Sequence, residues 1–241
     1  MKRIVLAAAM AFSAAPALAA DLPAPPPPPQ APAAYVPVAA PIYNWGGIYV
    51  GINGGYGFGQ SAWTPAGTVG TGNFDVTGGL VGGTIGANFQ TGEWVFGVEG
   101  DIDWSDITGS TTNTTTCAPI SCTFQTSNDW LGTVRGRVGY AFDRVLVYGT
   151  GGGAFGDIKA SISNVLGSAS ATSTEFGWTA GGGVEVGITP NITAKIEYLF
   201  VDLSNGSLAC TAAACNGGTA AVPVSFDASL VRGGLNYKFN F

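Results

Sequence analysis

The sequence predicts an all-β fold: a transmembrane antiparallel up-and-down β-barrel of eight strands, preceded by a signal peptide and a Pro-rich spacer. Three observations carry this expectation. Charged residues make up 10% of the 241-residue chain, against roughly 25% in soluble globular domains. From Trp45 onward, large apolar residues alternate with polar or glycine positions at period two, as they do along strands with two unlike faces. Beyond the N-terminus no run reaches about 20 apolar residues, so no mature helix is expected to cross a bilayer.

Residues 1–19 read as a signal peptide. Lys2 and Arg3 form a positive start, Ile4 to Ala15 an apolar run, and Ala17 and Ala19 the small pair at a cleavage site after Ala19. No cysteine lies near that site, so a bacterial lipid anchor is not expected. Residues 20–44 form a Pro/Ala-rich spacer that includes Pro25 to Pro29. Proline lacks an N–H and fixes φ, so this stretch suits an extended tether rather than a sheet interior. A ligand for a proline-recognising partner is the sharper alternative. Residues 45–241 form the barrel domain.

Within the barrel, several segments separate two faces. In the first, Ile48, Val50, Ile52, Tyr56 and Phe58 oppose Tyr49, Gly51, Asn53, Gly55 and Gly57. In the third, Trp94, Phe96, Val98, Ile102 and Trp104 oppose Glu99, Asp101 and Asp103. The fourth sets Trp130, Val134, Val138 and Tyr140 against Arg135 and Arg137. The sixth sets Phe176, Trp178, Ala180, Val184, Val186 and Ile188 against Glu175 and Glu185. The seventh sets Ile192, Ala194, Ile196, Tyr198 and Phe200 against Lys195 and Glu197; the last sets Val231, Leu235, Tyr237, Phe239 and Phe241 against Arg232, Asn236, Lys238 and Asn240. A second segment near 80–89 and a fifth near 145–158 complete eight. The fifth has no readable parity, because Val145, Leu146, Val147 and Tyr148 are all apolar.

Apolar rows ended by aromatics suit a lipid-facing wall with interfacial girdles, here Trp94, Trp104, Trp130, Tyr140, Trp178 and Tyr198. The opposite face is then the lumen, carrying Glu99, Asp101, Asp103, Arg135, Arg137, Glu185, Lys195, Glu197 and Arg232. Strand neighbours suggest that the third-strand acids meet the fourth-strand arginines, and that Glu185 lies near Lys195 and Glu197. An eight-stranded barrel is only just wide enough for its own side chains, so a packed core of ion pairs is favoured over a narrow ion path lined by both signs. Short turns at 90–93, 143–144 and 189–191 alternate with long polar loops near 60–78, 106–128, 160–173 and 204–223, as at the periplasmic and outer ends of such barrels.

Cys117 and Cys122, and Cys210 and Cys215, form two local pairs in those long loops. In an oxidising compartment two short loop disulfides are favoured over a four-thiolate zinc site, and the spacing does not choose among the three possible connectivities. The chain has no histidine and a formal charge of −6. Histidine is the commonest general base, and nucleic-acid binding needs a basic face; neither catalysis, nor a cofactor or metal site, nor a nucleic-acid partner is expected. The string Gly149-Thr150-Gly151 followed by Ala154 imitates a dinucleotide fingerprint, but no helix pattern follows it.

The Ala17-Leu-Ala-Ala-Asp-Leu-Pro junction, Trp45-Gly-Gly-Ile-Tyr-Val-Gly, Thr133-Val-Arg-Gly-Arg-Val-Gly-Tyr-Ala, Val147-Tyr-Gly-Thr-Gly-Gly, Gly177-Trp-Thr-Ala-Gly-Gly-Gly-Val-Glu and Lys195-Ile-Glu-Tyr-Leu together resemble the small porin-family or outer-membrane immunogenic proteins of rhizobia and related bacteria. The resemblance spans residues 17–241 apart from the loops. It implies an OmpA-like eight-stranded barrel in the bacterial outer membrane, with a structural or surface-interaction role; a narrow passive channel is the alternative. The ending Tyr237-Lys-Phe239-Asn-Phe241 resembles the signal read by the barrel-assembly machinery. Implied partners are outer-membrane lipid and lipopolysaccharide, periplasmic chaperones and the assembly machinery during biogenesis, and host or environmental surface molecules. Some relatives are said to bind haem, for which this chain has no imidazole ligand.

Overall fold

The computed structural model describes residues 43–63, 70–114, 121–165, 167–203, 206–210 and 220–239, with backbone alone for 169, 206–210 and 220–224. Ala17, Ala19, Cys117, Cys215 and Phe241 lie outside the described residues, and Cys210 is described by its backbone only. The strands are β1 Gly47–Trp63, β2 Asn73–Thr91, β3 Trp94–Asn113, β4 Cys122–Phe142, β5 Val145–Asn164, β6 Gly167–Gly187, β7 Ile192–Asp202, β8 Gly206–Cys210 and β9 Ala220–Phe239. Each of β1 to β7 pairs antiparallel with the next, β7 pairs with β9, and β9 returns to β1 from Ile48↔Phe239 to Trp63↔Val224. The ring therefore closes, as lipid demands: no water there satisfies an open strand edge.

Nine strands still make an eight-stranded ring. β7 and β8 lie on the same edge of β9, with Asp202↔Asp227 followed by Gly206↔Val224. The register slips by one residue between them, so β8 continues the seventh barrel strand beyond an interruption.

The strands reach well into stretches read above as long loops. β5 ends at Asn164 and β6 starts at Gly167, so residues 160–173 are almost wholly strand. Two properties disguise this in the sequence. Residues on the outer surface here, such as Ser110, Thr112, Lys159, Thr172 and Thr174, are polar, because this part of the wall stands in water. Against β5, an extra residue in β4 near Asn128–Trp130 also accompanies a reversal of parity: Thr133, Arg135 and Arg137 face inward below it, whereas Phe124, Thr126 and Asn128 face inward above it.

That bulge is held by side chains. Asp157 Oδ1 accepts the N–H groups of Asp129 (3.1 Å) and Trp130 (3.0 Å). Asn128 Nδ2 donates to the carbonyls of Trp130 (3.0 Å) and Asp157 (2.6 Å). Bulges re-aim strands and terminate regular pairing, and here the unpaired N–H groups need the carboxylate. Asp157→Ala is expected to cost about 1–3 kcal/mol, the penalty for part-buried donors left without an acceptor. Urea unfolding of the refolded barrel measures it; an unchanged midpoint would mean water replaces the carboxylate at no cost.

The polarity of the wall inverts along the barrel axis. Between the aromatic rows, apolar side chains point outward: Ile102 is 51% exposed and Val134 62% exposed. Above the upper row, the apolar side chains point inward. Trp63, Phe74, Val76, Ile107, Phe124, Ile158, Ile162, Val201 and Phe226 form one buried cluster there. Fifth-strand parity follows the same logic: Leu146 and Tyr148 are buried, Val145 and Val147 exposed.

Candidate functional site: the closed lumen and its aromatic rings

Glycines make room for the interior. A side chain on Gly86 would stand 2.3 Å from the Tyr49 hydroxyl, so this inward glycine lets a tyrosine from the next strand lie across the lumen floor. Tyr148 enters likewise beside Gly183. The Arg137 guanidinium carbon lies 4.0 Å from the Tyr148 ring centroid and 5.8 Å from that of Tyr49. Both rings present their electron-rich faces to the cation.

Glu99, Asp101, Asp103, Arg135, Arg137, Glu185, Lys195, Glu197 and Arg232 all point into the lumen and are buried, Asp101 being the most exposed at 6%. Arg135 bonds three carboxylates: Glu99 (2.5 Å), Asp101 (2.7 Å) and Glu197 (2.9 Å). Arg232 holds Asp101 (2.9 Å), Asp103 (2.6 Å) and Glu197 (2.7 Å). Arg137 pairs with Glu185 at 2.7 Å and Lys195 with Glu99 at 2.9 Å. Tyr49 donates to Glu99 (2.7 Å), Tyr148 to Glu197 (3.1 Å) and Thr133 to Asp101 (2.8 Å). Thr193 and Asn236 both donate to Glu185.

Glu99 and Asp101 meet Arg135 of the fourth strand, as expected of strand neighbours, and Glu185 stands opposite Lys195 in register, but other ion pairs differ. Asp103 bonds Arg232 from the last strand rather than either fourth-strand arginine. Glu185 bonds Arg137, not Lys195, and Lys195 reaches Glu99 on β3. The lumen is narrow enough for long side chains to cross it, so the best-matched opposite charge wins over the adjacent one. Tyr49, Tyr148, Thr133, Thr193 and Asn236 join the network without having stood out in the sequence. Inward parity was the available signal for Tyr49 and Asn236; Tyr148 had none.

The charged layer is sealed on both sides. Above it lies the apolar cluster. Below it, Tyr43, Trp45, Val95, Ala141, Leu146 and Tyr148 pack together, with Trp45 only 1% exposed. Buried charges are tolerable because each is paired and hydrogen-bonded.

On the outer wall, Trp94, Tyr140, Trp104, Trp178 and Tyr198 are exposed, and Trp130 is partly so. Two rows emerge. Trp94 meets Tyr140 at 5.5 Å near the short-turn end; Trp130 meets Phe155 at 6.0 Å, and Phe155 meets Phe176 at 6.4 Å, near the other. Trp94 and Trp104 lie ten positions apart on one tilted strand, which spans about 25 Å along the barrel axis and matches the apolar band of outer-membrane barrels. Tyr237 and Phe239 add to the short-turn row, 5.1 Å apart.

A closed antiparallel ring with an apolar band outside and charges inside defines an integral β-barrel protein of the bacterial outer membrane. The family model described as the outer membrane protein beta-barrel domain matches residues 4–239, and the chain belongs to that family. It is 38% identical over 256 aligned residues to the 31 kDa outer-membrane immunogenic protein of Brucella melitensis biotype 1, covering 99% of this chain and 100% of that one. It is 32% identical to the 22 kDa outer membrane protein of Rhizobium leguminosarum bv. viciae, covering 83% and 80%. Among solved structures, the attachment invasion locus protein Ail of Yersinia pestis matches with a TM-score of 0.37 at 18% identity, covering 80% of this chain and 99% of that one.

Proposed function

We propose that the protein is a closed, non-conducting barrel that serves the outer membrane as a structural and surface-interaction element. The observation that carries this reading is the lumen itself: nine charged side chains paired across it, none more than 6% exposed. A path for ions needs water beside those charges, and here each one faces a partner. Displacing one would uncover a buried charge, at a cost of several kcal/mol.

The working surface is then the end away from the short turns. Among the described residues its exposed and half-exposed charges are Asp75, Asp106, Asp129, Asp202 and Asp227 against Lys159 alone, with Asp157 and Glu175 buried, so a surface partner meets an acidic face. Outside the membrane band, Asp227 stands opposite Asp202 across the β7–β9 ladder. Partial burial, and then that second carboxylate, raise its pKa from the ordinary aspartate value. The loops at this end are proposed to be tied by disulfides within Cys117 and Cys122 and within Cys210 and Cys215. In support, the Cys122 side chain is buried and is not free. Proposed partners are outer-membrane lipid and lipopolysaccharide, chaperones and the assembly machinery during biogenesis, and host or environmental surface molecules. No enzymatic role is proposed: the chain has no histidine, and the lumen carboxylates are consumed by ion pairs.

Planar-bilayer recording tests this reading. The refolded protein, with insertion verified by its altered gel mobility before boiling, is expected to stay silent. Steady, reproducible conductance steps that vanish when Arg135 and Arg137 are replaced by alanine would instead establish a narrow channel.

A further inference from the structure

We propose that Tyr43, Asn44 and Trp45 form a detachable strap that closes the periplasmic mouth of the barrel, hinged at Gly46 and Gly47. The inference is independent of whether the barrel conducts. Residues 43–45 belong to no strand, yet Tyr43 is 7% and Trp45 1% exposed. Their fastenings come from all three short turns and from the last strand. At the first turn, the Trp45 N–H donates to Gln90 Oε1 at 2.7 Å. At the second, the Tyr43 N–H donates to Asp143 Oδ1 at 3.1 Å, and the Trp45 indole N–H donates to the Asp143 carbonyl at 2.9 Å. At the third, the Tyr43 hydroxyl donates to the Thr189 carbonyl at 3.2 Å. From β9, Lys238 Nζ donates to the Asn44 carbonyl and lies 4.6 Å from the Tyr43 ring centroid.

The seat and the hinge are both marked by glycine. A side chain on Gly187 would come within 2.7 Å of the Tyr43 ring, so this residue leaves the space that the ring fills. Gly47 has φ of 128°, a conformation that only glycine adopts readily, and it turns the chain from the mouth into β1. The strap is held by side-chain bonds, the Tyr43–Trp45 pair and burial in the cluster with Val95, Ala141, Leu146 and Tyr148; lacking a strand ladder, it belongs to the part of a fold that opens before global unfolding. Because its fastenings lie on three separate turns and on the last strand, it can dock only after the ring has closed. Docked, it seals the lower side of the charged layer; released, it opens Arg137 and Glu185 to periplasmic water.

Chymotrypsin, which cuts after Tyr and Trp, reads strap release in the full chain refolded in micelles, with cleavage at 43 and 45 identified by fragment mass. Slow cleavage is expected in the folded protein, rising in urea well below the unfolding midpoint. Asp143→Gly removes the carboxylate but keeps the turn, since Asp143 itself has φ of 53°. Gly187→Leu fills the seat of the ring. Each is expected to accelerate cleavage at least tenfold while the folded band on an unboiled gel persists. Unchanged rates in the variants would overturn the proposal. So would cleavage that appears only with global unfolding, or acceleration accompanied by loss of the folded band, because the segment would then be a fixed part of the barrel. Should Gly187→Leu fail to fold, Asp143→Gly alone decides between these outcomes.

Discussion

Replacing Arg135 with methionine is expected to destabilise the barrel by about 3–5 kcal/mol, the cost of breaking a buried ion pair by removing one partner. Arg135 lies wholly inside and holds Glu99, Asp101 and Glu197. Without it, Glu99 keeps Lys195, and Asp101 and Glu197 keep Arg232. The remaining cations are then shared among more carboxylates than they can satisfy, in a space that water does not reach. Arg135→Lys should recover only part of the loss. An ammonium restores the charge but cannot spread its donors over three carboxylates as the planar guanidinium does. Urea unfolding in vesicles, followed by the folded band on unboiled gels, measures both variants. A methionine variant within 1 kcal/mol of the parent would mean that the lumen rearranges or hydrates freely, which would also undermine the sealed-barrel reading.

The neighbouring residue predicts the opposite chemistry. Val134→Arg is expected to cost about 2–4 kcal/mol, the penalty for an arginine on the lipid face near the bilayer midplane. Val134 is 62% exposed and stands between Trp130 and Tyr140 on the outer wall of β4. Ser127→Arg, above the upper aromatic row on the same strand, should change stability by no more than about 0.5 kcal/mol, because a half-exposed polar site on the outer wall in water tolerates a charge. A depth profile along β4 that fails to fall between positions 134 and 127 would place the bilayer elsewhere on the barrel. The two adjacent residues thus separate the two solvents: an arginine is required at 135 and excluded at 134.

How far the fold was legible varied from strand to strand. Where charge marked the inner face and aromatics the outer, as with Glu99, Asp101 and Asp103 against Trp94 and Trp104, alternation alone assigned both faces. β5 carried no such contrast over Val145 to Tyr148, and only its neighbours show that Leu146 and Tyr148 turn inward. The upper halves of the strands passed for loops because the pattern there is that of a water-soluble barrel, with Phe124 and Ile158 inside and Ser127 and Lys159 outside. The bulge in β4 then shifts the phase just where the solvent changes. Tyr43 falls within the spacer expected at residues 20–44, and nothing in its local sequence shows that it seats beside Gly187.

Strand content, membrane character and the faces of the charged strands reside in the local order of residues, because a strand's two faces answer to period two and to the solvent on each side. The pairing of the lumen charges and the docking of Tyr43 and Trp45 do not. Arg135 and Glu197 are 62 residues apart in the chain, and Tyr43 and Thr189 are 146 apart. Which carboxylate an arginine reaches depends on the width of the closed ring and on the rows its strands bring to the same height. Those distances exist only once the first and last strands have paired.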